Sequence, residues 1–512
     1  MRLPILHRPR FWYPLIAVGV LAAVVPPALE RATARAPSTS DYWDGVSRTL
    51  PTTPYGHRVG LSCHNCYRTT FEGEAPNTTT VITDAIAEGA DFIELDVALH
   101  SDGILYVEHD ESTSASPPRL SSVLGLPVLA MSDQLLFIEI KDLDADPVVF
   151  GRALLDTLLA AGYPRVGRPI VLRGFDRLQL ERLDALRALL DTHYSSIEPL
   201  VRLQVLVAHV APASPEFLRA KVDDAVARGY DGIEIAMTQP GLFSGIAHAR
   251  RRGLGVSVYA VGTHEQSGHV FLAALRDEVD SVTTDYPMAG ARALLEERNT
   301  LLHLDVADQT GSGGLVRYRR EGPGMYSAAV GEPGAPRLVV DASPSTSLPG
   351  GFLAFAGREF LKTYDADNAP APGYLVSASV DFDRLALEEG EKMALFSKAG
   401  GGAFSLDLVN LEGPLPTELR FGVHVGGGYR YSAFPAASLN LDDSFFIVGA
   451  YDGAGSVGIW VNGAPGAAAS TAGSVTGNDA PAVIGAAPRG AAATRYFQGK
   501  LQHVLLQRWS PH

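Results

Sequence analysis

The chain has 512 residues, 46% of them hydrophobic and 19% charged, an ordinary globular composition long enough for two or three domains. Its 42 basic residues against 57 acidic ones leave a formal net charge of −15 at pH 7, which repels phosphate backbones and argues against nucleic acid as a partner. A small phosphorylated substrate stays compatible with this charge, because a bound cation reverses the field locally.

The N-terminus joins a basic lead containing Arg2, Arg8 and Arg10 to an apolar run from Phe11 to Val25, followed by small residues. This is the pattern of an export signal. The run falls short of the roughly 20 residues of a relaxed membrane span. Residues 1–37 are therefore read as a signal peptide or a membrane anchor, with the cleaved signal preferred. The rest of the chain is expected outside the cytoplasm, as a secreted, periplasmic or outward-facing anchored protein.

From residue 59 to about 285, short β-branched runs alternate with Ala-, Leu- and Arg-rich helical stretches, which predicts parallel β/α architecture. The strand candidates are "RVGLSCHN", "FIELDVAL", "ILYVEHD", "LLFIEIK", "PIVLRGF", "RLQVLVAH", "DGIEIAM", "GVSVYAV" and "DSVTTDYP". The third follows the second across "HSDG" with no room for a helix, so it reads as a hairpin excursion. The others predict a (β/α)8 TIM barrel over residues 38–298. After "GARALLEERN" the helical periodicity stops, and Gly, Pro, Ser and alternating runs continue to the C-terminus. Residues 299–512 are predicted to form an all-β, jelly-roll-like sandwich with strands in "YLVSASVDF", "KMALFSK", "AFSLDLV", "LRFGVHV", "SFFIVGAYD" and "SVGIWVNG". "AGGGA" and "APGAAAST" read as loops. Asp452 and Gly453 make one turn, Asn462 and Gly463 a hairpin turn, and Trp460 between apolar neighbours reads as core. The sandwich is expected to fold alone, and the barrel to keep its chemistry without it.

Period-2 alternation puts Glu94 and Asp96 on one face of "FIELDV", and Glu139 with Lys141 on one face of "LLFIEIKD". In a barrel that face is the interior, where such charges need partners. Two readings stay open: a divalent cation, Mg²⁺ or Ca²⁺ because every ligand is oxygen, or a structural ion-pair network with Lys141. Glu234 in "GIEIAM" alternates inward like Glu94. Arg173 ends the fifth strand and reads as a phosphate contact or a surface salt bridge, the salt bridge preferred. His64 and His109 stand at strand ends, on the side where barrel active sites lie. Such a pair can take a proton from an attacking hydroxyl and give one to the leaving oxygen of a phosphodiester.

The ordered set "CHN", "APNT", "GADFIELDV", "SDG", "VEHD", "FIEIK" and "TTDYP", over about residues 59 to 290, resembles the glycerophosphodiester phosphodiesterase superfamily, which includes sphingomyelinase D-like phospholipases. The resemblance implies a TIM barrel and a metal-dependent phosphodiesterase acting on glycerophosphodiesters or (lyso)phospholipid head-group esters. Glu94, Asp96 and Glu139 would hold the divalent cation, His64 and His109 would be the acid/base pair, and Lys141 would lie near the phosphate. Asn65 stands where the family has a phosphate-binding arginine; it can still donate a neutral hydrogen bond, and Arg68 is the candidate substitute. Tyr259 in "VYAVG" replaces a family aromatic and either lines the alcohol side of the pocket or packs. "APNT" lacks the family glutamate, and the connection from Asp110 to Leu135, where many members carry a larger insertion, is short. That leaves an open mouth suited to a larger head group or lipid. Two alternatives remain: an enzyme that uses the substrate's own hydroxyl and releases a cyclic phosphate, and a binding protein whose barrel has lost turnover.

The chain's two cysteines frame His64 in "CHNC". Tyr67 follows Cys66, which rules out haem attachment through C-x-x-C-H, and without a second cysteine pair there is no structural zinc site. A thioredoxin-like motif belongs to a different fold. Cys63 and Cys66 are therefore read as a frame around His64, able to oxidise outside the cytoplasm. The C-terminal region, through "FSLDL", "FFIVGAYDGAGSVGIWVNG" and "YFQGKLQHVLL", resembles concanavalin A-like, laminin G-like sandwiches over about residues 335 to 512, with the segment from 299 supplying edge strands. That resemblance implies a glycan or cell-surface ligand.

Overall fold

The computed structural model describes residues 42–51, 58–66, 79–108, 117–141, 145–210, 215–260, 275, 278–285, 288–296, 300–305, 317–319, 337–342, 350–357, 360–362, 373–398, 402–411, 417–441, 443–477, 482–489 and 492–509. The N-terminal export pattern lies outside them. Among the described residues no helix is long and apolar enough to cross a membrane.

Nine strands build the first sheet: β1 (Gly60–Cys63), β2 (Phe92–Leu99), β3 (Leu105–Val107), β4 (Leu135–Ile140), β5 (Ile170–Phe175), β6 (Val201–Val207), β7 (Gly232–Ala236), β8 (Gly255–Ala260) and β9 (Ser281–Thr284). Their order runs β1-β9-β8-β7-β6-β5-β4-β2, and a parallel β1–β2 pairing with Cys63 opposite Ile93 closes the ring. This is the eight-stranded parallel TIM barrel that the alternating pattern predicts. The excursion is present as expected: β3 lies antiparallel on β2. Its turn is closed by Asp102, whose carboxylate accepts from the Ile104 amide at 2.9 Å, and by Gly103 at φ 77°.

Alternation divides each barrel strand into two faces. Leu61, Cys63, Ile93, Leu95, Ile138, Ile140, Leu172, Val205, Ile233 and Val256 point outward and join the helices in one apolar cluster. The inward face is apolar at one end and polar at the other. At the N-terminal end, Trp43, Leu50, Phe92, Leu135, Phe137 and Val171 form a separate buried plug. Trp43 Nε1 donates to the Asp280 carbonyl at 2.6 Å. The Tyr42 ring lies so close over Gly255 that a Cβ there would meet it at 2.2 Å. This floor, built by residues 42–50, has no counterpart in the sequence reading, and it closes the N-terminal end of the barrel.

The antiparallel strands of the C-terminal region begin at Thr300. The strand Gln498–Trp509 is central to one sheet, flanked by Gly373–Phe382 and by Thr300–Asp305, the expected edge contribution. The other sheet runs through Lys392–Ser397, Phe404–Asn410, Thr417–Val425 and Gly428–Pro435. Each of the six candidate runs contains a strand; Gly428–Pro435 and Gln498–Trp509 were not among them. "APGAAAST" is not all loop, since Ala464–Pro465 and Ala469–Ser470 pair with Ser456–Val461. The Asn462-Gly463 turn has both φ values positive, 46° and 81°, as a two-residue hairpin of the primed type requires.

Barrel and sandwich pack against each other through apolar side chains. In Phe445–Tyr451, Phe445 and Ile447 face the partner sheet, whereas Phe446, Val448 and Ala450 join the same apolar cluster as the barrel's helical layer. Leu375, Leu505 and Trp509 do likewise, and Trp460 packs on that cluster at partial burial. The anchor on the barrel side is Phe243, in the helix Leu242–Arg251. It stacks on His503 at 4.5 Å between centroids and meets Phe446 edge-on at 4.6 Å. A barrel ending at residue 298 is therefore expected to unfold at a lower temperature than the full chain, and Phe243→Ala to destabilise by about 3–5 kcal/mol, as for other buried phenylalanines. Scanning calorimetry checks both; a truncated barrel as stable as the full chain would show that the contact carries no energy.

Candidate active site

The strand register assembles the site. β2 and β4 pair with Asp96 opposite Glu139, and β4 and β5 pair with Glu139 opposite Arg173, so these three side chains stand in one row on the inner wall. Glu94 lies two residues earlier on the face of Asp96, and Lys141 two residues later than Glu139. Glu94, Asp96 and Glu139 are all buried, each with a ligand atom within 4.8 Å of the others; among the described residues no other such group is found. β1 and β9 pair with Cys63 opposite Thr284. The first residue beyond each strand, His64 and Asp285, therefore meets its neighbour at the C-terminal rim, with His64 Nδ1 2.8 Å from Asp285 Oδ1.

Cations are packed among these carboxylates. Lys141 Nζ is 3.3 Å from Asp96 and in closer contact with Glu139. Arg173 contacts Glu94 directly, lies 3.8 Å from Glu139, and donates to Glu234 at 2.6 Å and to Thr283 Oγ1 at 3.1 Å. Arg173 is 1% exposed, which corrects its reading as a surface salt bridge: Leu172 faces the helices, so its neighbour must face the interior. Glu234 is inward as expected and fully buried. Burial opposes ionisation of Glu139, but Lys141 and Arg173 outweigh it and pull its pKa down. Burial likewise opposes the charge on Lys141, and Glu139 and Asp96 overcome it, so the ammonium is held well above its ordinary value. Burial raises Glu234, with Arg173 opposing.

Glu94, Asp96, Glu139 and Glu234 set four carboxylates against the two cations Lys141 and Arg173, a formal excess of two negative charges. A buried excess of two, presented by hard oxygen donors, fits a divalent cation of the Mg²⁺ or Ca²⁺ kind. The ion-pair reading of Lys141 and the cation reading of the triad are thus compatible.

The remaining predicted residues fare unevenly. His109 and Arg68 lie outside the described residues, as does the side chain of Asn65. Tyr259 stands near the rim, where its hydroxyl donates to the Val207 carbonyl at 3.0 Å, and burial raises its pKa; its ring meets Phe175 edge-on. Cys63 and Cys66 are joined in a disulfide and belong to the outer apolar cluster, not to the carboxylate group. Asp285 was missed as a site residue, although it is the aspartate of "TTDYP".

For His64, burial of the ring disfavours the charge, but the hydrogen bond to Asp285 and the charges of Glu94, Asp285 and Asp96 outweigh it and raise the pKa from 6.5 to about 9. A folded value above the unfolded one means that this stabilisation is complete below pH 6.5 and is lost as the pH rises through about 9. Cation-free protein is therefore expected to lose stability between these pH values, and His64→Asn to flatten that slope. Urea titrations from pH 6 to 10 check it, and an equal slope in the variant would assign the loss to another group.

Residues 68–147 match the model of the glycerophosphoryl diester phosphodiesterase family, a family of phosphoric diester hydrolases. Residues 377–508 match that of the concanavalin A-like lectin/glucanases superfamily. Among solved structures, the chain is similar to a phosphodiesterase of Oleispira antarctica in complex with the product sn-glycerol-3-phosphate, at 17% identity over 45% of this chain and 94% of that one, with a TM-score of 0.35. It is also similar to a glycerophosphodiester phosphodiesterase of Agrobacterium tumefaciens, at 23% identity over 46% and 99% and a TM-score of 0.33. A third similarity is to domain 4 of an extracellular arabinanase of Geobacillus stearothermophilus in complex with arabinotriose, at 17% identity over 42% and 95%, with a TM-score of 0.28. Among curated proteins, none matches the chain.

Proposed function

We propose, from the match of residues 68–147 to the glycerophosphoryl diester phosphodiesterase family and of residues 377–508 to the concanavalin A-like superfamily, that the protein is an exported, divalent-cation-dependent phosphodiesterase of glycerophosphodiesters or lysophospholipids. The observation that carries this reading is the His64–Asp285 pair at the C-terminal rim, next to the buried carboxylates Glu94, Asp96 and Glu139. These three would hold the cation, which when bound supplies charge stabilisation to a phosphoryl group and lowers the pKa of an oxygen nucleophile. Asp285 orients the His64 ring through Nδ1 and keeps it protonated at neutral pH, so His64 gives a proton from Nε2 to the leaving oxygen. His109 is the candidate for removing a proton from the attacking water. Asn65 and Arg68 are the candidates for the phosphate oxygens. Export is supported by the N-terminal pattern and by the Cys63–Cys66 disulfide, and the sandwich is the candidate carrier of a surface or glycan ligand.

The test is ³¹P NMR of a panel of glycerophosphodiesters and lysophospholipids incubated with the protein in Mg²⁺ and in Ca²⁺. A phosphomonoester as first product supports the proposal. A cyclic phosphate would move it to internal transfer, and no turnover of any substrate would favour a binding protein.

A further inference from the structure

We infer that Glu234 is a positioning residue for the cation site: it holds one arm of Arg173 away from the carboxylate triad, so that the triad keeps enough negative charge to bind a divalent ion. This inference rests on the cation reading proposed above and goes beyond it, since Glu234 is not in the ligand group.

Arg173 rises from β5 directly beside Glu139 and is the strongest local competitor for the triad. A guanidinium presents a fork of donors that matches carboxylates two at a time. If both arms turned to Glu94 and Glu139, it would neutralise part of the triad and occupy the space a cation needs. Instead the fork is split. Nη2 goes to Glu94, while Nη1 is bound by Glu234 at 2.6 Å and by Thr283 at 3.1 Å. Glu234 comes from β7, across the barrel from β2 and β4 in the strand order, so it pulls Nη1 away from the triad's wall. The Phe137 ring, with its centroid 4.8 Å from the guanidinium carbon, packs against the group and further limits its tilt.

Charge points the same way. With Glu234 the enclosure carries an excess of two negative charges; without it, Lys141 and Arg173 leave the triad an excess of one. Replacing the whole pair by apolar residues removes one charge of each sign and restores the excess of two. A buried ion pair tolerates that exchange better than the loss of one partner, which strands the other charge.

The experiment is calorimetric titration of chelator-stripped full-length protein with Mg²⁺ and with Ca²⁺ alone, for wild type, Glu234→Gln, and the double variant Arg173→Met with Glu234→Met, each first checked for a native circular dichroism spectrum. Glu234→Gln keeps a hydrogen-bond acceptor for Arg173 and changes only the charge. Its cation affinity is expected to fall roughly 10- to 100-fold, the usual effect of losing a partner one step removed from a metal. The double variant is expected within about threefold of wild type, a non-additivity that identifies Arg173 as the route. Glu234→Gln binding as tightly as wild type would overturn the inference, and so would a double variant as weak as Glu234→Gln. Wild type that binds neither cation would instead overturn the cation reading beneath it.

Discussion

His64→Ala is expected to lower kcat/KM for a glycerophosphodiester by on the order of 10²- to 10⁴-fold, the contribution of a well-placed proton donor. The reason is geometric: His64 is the first residue beyond β1, it turns inward because Cys63 turns outward, and Asp285 holds its Nδ1 at 2.8 Å. Asp285→Ala should also slow turnover, with an effect that fails to add to that of His64→Ala, because both changes remove one proton donor. The Asp285 variant should further move the alkaline limb of the pH–rate profile to lower pH, since burial lowers the His64 pKa and the hydrogen bond to Asp285 does most to raise it. Steady-state kinetics across pH 6 to 10 checks both statements. Unchanged rates in His64→Ala would remove the residue from the reaction.

Asp96→Asn is expected to have an effect of similar size by another route. Asp96 is fully buried and lies opposite Glu139 in the β2–β4 register. Removing its charge should weaken cation binding by at least about 10²-fold, more than the loss of an outer partner. A stability readout separates this from misfolding. A ligand present at 100 times its Kd stabilises the protein that binds it by about 2.7 kcal/mol, so Mg²⁺ or Ca²⁺ should raise the melting temperature of wild type and leave that of Asp96→Asn nearly unmoved. The cation-free variant should melt no lower than cation-free wild type, because one of several crowded negative charges has gone. A variant that melts much lower would mean that Asp96 acts through structure alone.

The barrel was legible because its strands obey one rule throughout: outward residues are branched and apolar, and inward ones near the C-terminal end are polar. The same rule placed Glu94, Asp96, Glu139, Lys141 and Glu234 correctly. The same rule turns Arg173 of "VLRGF" inward, since Leu172 faces outward, against the general preference of arginine for surfaces. Asp285 needed one step more. The last strand of a closed barrel lies beside the first, so the residues that follow the two strands are neighbours although 221 positions apart.

Other features have weaker signals. Residues 42–50, which close the barrel floor, show neither a helical nor a strand period in "YWDGVSRTL", and only the cavity they fill gives them a place. The shared core between barrel and sandwich did leave a trace: "FFIVGAY" is apolar on both of its faces, whereas an outer strand of a free sandwich alternates with polar residues. Both faces are covered, one by the partner sheet and one by the barrel. Which surface covers the second face depends on tertiary pairing that no local period encodes.

The central claim is that the buried carboxylates hold a divalent cation on which phosphodiester hydrolysis depends. Turnover of a glycerophosphodiester by full-length protein stripped with EDTA, followed by ³¹P NMR before and after addition of excess Mg²⁺ or Ca²⁺, tests it most directly. The expected result is no detectable phosphomonoester from the stripped protein and recovery of the original rate with one of the two cations. Full turnover by stripped protein, with no metal retained by elemental analysis, would contradict the claim.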